Sequence, residues 1–268
     1  MDELTLDELK KIEFDILKHF DAFCKDHNIR YYLSNGTLLG AIKYKKFIPW
    51  DDDVDVLIPR DDYDRLLNIY KDSEQYKLFY FEKNDKFHYP FAKLCDMTTL
   101  KEQTVFKNKG VRLGVEIDVF PLDYWDSNID KAKLEAKKNL RYRGWLKTSK
   151  LDAPLTSNFL KKIVWTFIML CVKLIGGGYF VKKMMKVSNK ENQKASSYVG
   201  CKAWCIYGEK EIIPAEVFAD VTYVEFEGEM FPAPIGYDTY LRSLYGDYWS
   251  DPPKEKQKTH HYFKAYRL

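Results

Sequence analysis

One stretch of nine residues constrains this chain more than any other. Trp50-Asp51-Asp52-Asp53-Val54-Asp55-Val56-Leu57-Ile58 sets carboxylates at positions 51, 53 and 55 against an apolar run. The alternation over 53–58 predicts a strand, in which every second side chain shares a face. Asp53 and Asp55 then point to one side, and Val54, Val56 and Ile58 pack on the other. Asp51 joins the acidic face where the strand starts early. Carboxylates crowded on one face of a half-buried strand repel each other unless a cation lies between them. An all-oxygen ligand set suits Mg²⁺ or Mn²⁺.

Two other metal readings fail. The Asp51-x-Asp53-x-Asp55 spacing opens like an EF-hand loop, but that loop needs Gly sixth and Glu twelfth, where this chain has Val56 and Asp62. Asp53-Val54-Asp55 also fits the short acidic motif of metal-dependent glycosyltransferases, which are expected to open with a nucleotide-binding strand–helix unit. This chain opens with a helix instead. Thr5-Leu6-Asp7-Glu8 reads as a capping box, and Leu9, Ile12, Ile16, Phe20 and Phe23 recur at helical spacing up to His27-Asn28.

A second acidic strand follows about sixty residues later. In Gly114-Val115-Glu116-Ile117-Asp118-Val119-Phe120-Pro121-Leu122-Asp123, Glu116 and Asp118 face one way and Ile117 and Val119 the other. Asp118 on a neighbouring strand completes a three-carboxylate site suited to in-line attack on phosphorus. Asp123, after Pro121, reads as a turn cap. Ahead of the acids, Leu33-Ser34-Asn35-Gly36-Thr37-Leu38-Leu39-Gly40 reads as strand, small-residue turn and helix start from Thr37. Helix N-termini attract phosphate, and Gly36 leaves room for it to approach.

Strand candidates at 30–33, 78–82 and 91–95 join the two acidic strands. A hairpin is expected over 221–231 and a short helix over 237–245, before a polar, proline-bearing tail. The pattern is α/β in composition and α+β in order. Residues 1–130 read as the catalytic core, 131–200 as a helical insertion broken at Gly176-Gly177-Gly178, and 201–268 as a segment completing the core. No apolar run reaches the ~20 residues that span a bilayer. The acidic start has no signal-peptide character. Five cysteines without framework spacing indicate reduced thiols, and Cys201 and Cys205 lack the second pair a zinc site needs. The expected location is cytoplasmic, peripheral on the inner face of the membrane.

The net charge of +3 hides an asymmetry, because residues 131–190 hold fifteen Lys and Arg against Glu135 and Asp152 alone. Such a block attracts phosphate polymers or an anionic membrane surface. Within it, residues 163–172 are nearly all apolar and are flanked by Lys161, Lys162 and Lys173. That segment is too short to span, which leaves a buried helix or an interfacial one; Trp165 and the lysines favour the interface. No nucleic-acid motif accompanies the charge, so nucleic acid is not an expected partner.

The residues Gly-Thr-Leu-Leu-Gly-Ala-Ile from Gly36, followed by Phe-Ile-Pro-Trp-Asp-Asp-Asp-Val-Asp-Val from Phe47, strongly resemble the LicD family of the nucleotidyltransferase-like superfamily, which includes the fukutin-related phosphotransferases. The resemblance continues through Ile117 to Asp123 and resumes at Glu227-Gly228, Pro232, Pro234, Tyr240-Leu241, Leu244 to Trp249 and Pro252-Pro253. Lys43, Tyr44 and Lys46 stand where the family usually has Arg, His and Gly. The resemblance implies a nucleotidyltransferase-like mixed sheet. It also implies transfer of phosphocholine from CDP-choline to a sugar hydroxyl of a lipid-linked glycopolymer precursor, of teichoic acid or lipopolysaccharide type.

Carried over by position, Asp53, Asp55 and Asp118 are the catalytic and metal-binding acids, with Asp51 as a further ligand. Gly36 and Thr37 form the phosphate-side turn. Lys93, Arg60 and His260 are further candidates for the donor phosphates, the last if the tail folds back. Trp50 and Tyr32 flank the site in sequence, and neither is assigned to a choline cage. The alternatives are another CDP-linked alcohol such as ribitol or glycerol, nucleotidyl transfer, or a non-catalytic polymer-binding module.

Overall fold

The structure is a computed structural model that describes residues 2–106, 110–189, 196–259 and 262–268. Helix α1 (Leu6–Asp26) starts on the expected capping box. Thr5 accepts from the Glu8 backbone N–H, and the Glu8 carboxylate accepts from the Thr5 N–H at 2.9 Å. Its apolar stripe, with Ile16, Leu17 and Phe20 fully buried, covers the central sheet. The remaining elements of the core are β1 (Tyr32–Leu33), α2 (Asn35–Tyr44), β2 (Asp55–Pro59), α3 (Arg60–Ile69), β3 (Tyr76–Phe79), β4 (Ala92–Gln103) and β5 (Leu113–Tyr124).

Three helices follow, α4 (Ile129–Ser149), α5 (Phe159–Ile175) and α6 (Gly177–Ser188). The chain then returns through β6 (Tyr198–Gly200), β7 (Ile213–Pro214), the hairpin β8 (Val221–Phe226) and β9 (Glu229–Pro234), α7 (Tyr237–Tyr245) and β10 (Phe263–Arg267). The main sheet runs β1-β2-β5-β4-β10, with β3 also on β4, and β6 and β7 extending from the end of β5. Only β2 and β5 run parallel; every other pairing among the described strands is antiparallel. This is the mixed α+β sheet that the resemblance implied.

Two sequence expectations are corrected. The acidic strand begins at Asp55 rather than Asp53, so Asp51 and Asp53 lie on the extended approach to it. The end of the tail is not a free polar extension. Residues 263–267 form an edge strand on β4, and Leu4 bonds to Ala265, so both ends of the chain close on the sheet.

Helix α2 and its exit loop set where the acids begin. Lys45 ends the helix in the left-handed region at φ 61°, and the following loop folds back over Gly40. A Cβ on Gly40 would stand 2.6 Å from the Lys46 carbonyl oxygen, so the fold-back needs glycine there. Lys10 of α1 donates to the Ile48 and Pro49 carbonyls, both at 3.0 Å, and Glu227 in the β8–β9 turn accepts from the Phe47 N–H at 3.0 Å. Elements from both ends of the chain thus fix the loop that carries Trp50 and Asp51.

Candidate active site

Register builds the centre of the site. Asp55 lies beside Asp118 across the parallel β2–β5 pair, and Lys93 lies beside Asp118 across the antiparallel β4–β5 pair. Residues paired this way project from the same face of the sheet. Lys93 Nζ donates to Asp118 Oδ1 at 2.5 Å and to Glu116 Oε1 at 3.0 Å, and Lys101 Nζ donates to the same Glu116 oxygen at 3.0 Å. Burial works against the Lys93 charge, but Asp118 and Glu116 outweigh it and hold the ammonium well above the usual lysine range. Lys93 is therefore a buried ion-paired group at the floor of the site, not a solvated strand end.

Asp55 stands under the opposite pressure. Burial first, then the neighbouring Asp53 and Asp118, push its carboxyl well above the usual carboxylate range. Its Oδ2 accepts from Asn35 Nδ2 at 3.0 Å, and Asn35 Oδ1 accepts from the Tyr240 hydroxyl at 3.0 Å. Asn35 holds φ at 45° to reach this position. The Asn35–Tyr240 brace was not legible in the sequence beyond a turn signal at Ser34-Asn35-Gly36.

The acids open into one cleft of about 930 Å³. Asn35, Gly36, Asp51, Asp53, Asp55, Lys93 and Asp118 all line it. A Cβ on Gly36 would come within 2.5 Å of Asp51 Oδ2, so the bare glycine makes room for that carboxylate. Thr37 is placed differently from expectation. It is buried below the cleft, where its hydroxyl accepts the Asp55 backbone N–H at 2.8 Å. It positions the acidic strand instead of meeting phosphate.

Arg60 is also corrected. It lies outside the cleft and grips Asp123 with Nε at 2.7 Å and Nη2 at 3.0 Å, with Asp64 at 3.1 Å. Asp123 is a buried β5 residue that also accepts from Ser188, not a turn cap. Tyr32 belongs to the core, whereas Trp50 faces the cleft. His260 lies outside the described residues.

The donor set is all oxygen. As the side chains stand, no three acid, His or Cys groups among the described residues converge on one ion-sized point, because Asp55 is turned to Asn35 and Asp118 to Lys93. Asp53, Asp55 and Asp118 line the one cleft as oxygen donors, the ligand type that suits a hard divalent ion.

The C-terminal segment closes one rim. Asp251 accepts from Lys43 Nζ at 2.6 Å and from the Tyr44 hydroxyl. Two of the three residues that depart from the family pattern thus tie the tail beside the cleft. Another part of the lining comes from α4 and its C-cap, with Arg143, Leu146, Lys147 and Lys150 facing the cavity. These cations were read as surface charge; their spacing of four and three residues, which places them on one helix face, is the signal that marks them.

Helix α5 continues from this wall. Leu146 of α4 packs in one cluster with Val172 of α5 and Phe180, Val181 and Met184 of α6. Only Met169 and Val172 of α5 are buried, while Leu174 is 87% exposed and Phe159 74%. The apolar segment is therefore not a core helix. No single helix among the described residues is long and apolar enough to cross a membrane.

Residues 28–157 match the family model described as LicD/FKTN/FKRP, nucleotidyltransferase domain. The lipopolysaccharide cholinephosphotransferase LicD of Haemophilus influenzae is 31% identical over 280 residues, covering 100% of both chains. An uncharacterized protein of Rickettsia typhi is 28% identical over 115 residues, 43% of this chain and 35% of that one. Another from Rickettsia prowazekii is 36% identical over 62 residues, 23% of each chain. Matched along its full length to a relative of that family, the chain belongs to the LicD family of transferases.

Proposed function

We propose that the cleft transfers phosphocholine from CDP-choline to a sugar hydroxyl of a lipid-linked envelope glycopolymer. The observation that carries this reading is the alignment of Asp55, Asp118 and Lys93 across three adjacent strands in one cleft. The full-length relative that acts on lipopolysaccharide supports the substrate class. Asp53, Asp55 and Asp118, with Asp51 at the rim, would hold Mg²⁺ or Mn²⁺, which when bound would neutralise charge on the diphosphate.

The chain's own residues carry the remaining steps. Asp118 accepts the proton of the acceptor hydroxyl, and Lys93 holds the carboxylate in place. The hydroxyl oxygen forms a new bond to the phosphorus that bears choline. The bond from that phosphorus to the bridging oxygen breaks, and its electron pair leaves with CMP. Asn35, braced by Tyr240, fixes Asp55 for this task.

Helix α5 supplies the meeting place with the acceptor. Its exposed Phe159, Leu160, Val164, Phe167, Leu170 and Leu174, with Lys161, Lys162 and Lys173 among them, suit an anionic membrane interface. Its inner side is anchored on α4, the rim of the cleft, so a docked α5 holds that rim near lipid-linked acceptors. Vesicles containing phosphatidylglycerol should sediment the protein, and Phe167→Glu with Leu174→Glu should abolish this while leaving the fold intact. Retained sedimentation would remove the membrane part of the reading.

The chemistry is tested by CMP release from CDP-choline, CDP-ribitol and CDP-glycerol, each with Mg²⁺ and with chelator, on an envelope glycolipid acceptor. Chelator-sensitive release from CDP-choline alone is expected. Release from another donor would change the alcohol. Silence on all three with donor binding intact would favour the binding-module alternative.

A further inference from the structure

Among the described residues, no carboxylate forms an ion pair with Arg143, Lys147 or Lys150. Arg143, Lys147 and the C-cap residue Lys150 lie within two turns of α4 and line the same cleft as Asp53, Asp55 and Asp118. Two other cations of the same helix, Lys133 and Lys137, do pair, both with Glu209. The three cleft cations make no ion pair with any described carboxylate, and rest on aromatic faces instead. The Arg143 guanidinium lies 5.2 Å over Trp204, Lys147 Nζ 5.4 Å over Phe106, and Lys150 Nζ 3.7 Å over Tyr89.

Lys150 is only 8% exposed, and its ammonium donates to the His88 carbonyl at 2.9 Å. Arg143 Nε is buried without a hydrogen-bond partner. The acid nearest in effect, Glu211, spends its Oε1 on the backbone N–H groups of Ile206 and Tyr207, the latter at 2.6 Å. Burial, then Lys93 and Lys147, bring Lys150 down to about 7, and burial followed by Arg143 brings Lys147 down to about 8. A buried cation such as Lys150, with no described carboxylate beside it, is costly in a protein that gains nothing from it.

We infer that Arg143, Lys147 and Lys150 form a diphosphate-binding site that holds the nucleotide-side phosphate of the donor and receives it as the leaving group. The inference rests on the proposed transfer for its role, but the site's chemistry needs only a diphosphate. When the bridging bond breaks, the electron pair and added negative charge go to the departing nucleoside monophosphate. That charge develops against α4, while the acceptor and the transferred phosphorus lie against the carboxylate wall. Each wall thus handles one end of the reacting diphosphate.

Inorganic pyrophosphate is the probe, because it carries neither cytidine nor choline. Its affinity for the full chain, with Mg²⁺ present, is measured by calorimetry on wild type, on Lys147→Met with Lys150→Met, and on Lys131→Met with Lys138→Met. The last pair removes the same charge from exposed positions of the same helix. The cleft pair should weaken binding about tenfold and the exposed pair less than twofold. Lys147→Met with Lys150→Arg should restore part of the loss. A weakening under threefold in the cleft pair, or an equal loss in the exposed pair, overturns the site. Should the double variant fail to fold, Lys147→Met alone is read by the same threshold. Loss of pyrophosphate binding in the cleft pair, in a wild type that never turns over CDP-choline, would keep this site and reject the proposed donor.

Discussion

The acidic wall of the cleft stands on a sheet, and the basic wall stands on a single helix. On the sheet, register alone puts Asp55 beside Asp118 and Asp118 beside Lys93. Every acid there is braced: Asp55 by Asn35 and by Thr37 at its backbone, Asp118 by Lys93. On α4, Arg143, Lys147 and Lys150 are placed by helical spacing and held on aromatic rings without a carboxylate partner. The difference teaches where each kind of group can be afforded. Clustered carboxylates on the sheet are held by register and close hydrogen-bond donors, whereas the α4 cations are held by one helix face and aromatic rings.

The sharpest way to break this comparison is to strip the acidic wall. Asp55→Asn with Asp118→Asn should lower turnover at least about 10³-fold, read as CMP release, while the protein stays folded. Loss below tenfold would show that the register-built centre is not where reaction occurs.

The basic wall predicts a pH signature that the acidic wall does not share. Lys150 sits near 7 when folded against 10.5 as a free side chain, and His88, Tyr89, Lys93 and Lys147 face it. A depressed lysine penalises the fold most fully below its folded value. The penalty lifts as pH rises from about 7 toward 10.5. Urea unfolding of ligand-free protein should therefore show a gain of about 2 kcal/mol between pH 7 and pH 9 relative to Lys150→Met. Parallel pH profiles for the two proteins would contradict the buried, unpaired placement.

Thr37 tests how much the frame itself matters. Thr37→Val leaves the buried Asp55 N–H without its acceptor and should cost about 1–3 kcal/mol in urea unfolding. Tyr240→Phe is the mildest change. It removes the hydroxyl from Asn35 and should lower kcat by about two- to tenfold with little change in KM, because it acts through Asn35 on Asp55. A KM effect alone would place Tyr240 in substrate binding instead.

Much of the acidic wall was legible from sequence because its logic is local. Alternating acids in an apolar run announce a strand with a functional face, and Asp118 follows the same rule. The first residue of that strand was not legible, since Asp53 alternates in sequence but lies on the approach to β2. The roles of Thr37 and Arg60 were misread for a different reason. A small hydroxyl near a turn suits both a phosphate and a neighbouring backbone N–H, and only the packing of α2 on β2 chooses the second. Arg60 follows the acidic strand directly, but the helix that begins there turns it to Asp123. The basic block was legible as charge and not as geometry. Its matched members, its cleft members and the lysines of α5 are indistinguishable by composition, and separate only when α4 is seen against the sheet.

Doubly labelled CDP-choline reads out the direction of transfer. With label on the choline methyls and a second label on cytidine, the reaction is run on envelope glycolipid and the lipid phase is extracted. Choline label is expected in the glycolipid and cytidine label in soluble CMP, both lost in Asp55→Asn. Cytidine label in the lipid with soluble phosphocholine would mean nucleotidyl transfer and would contradict the proposed phosphocholine transfer.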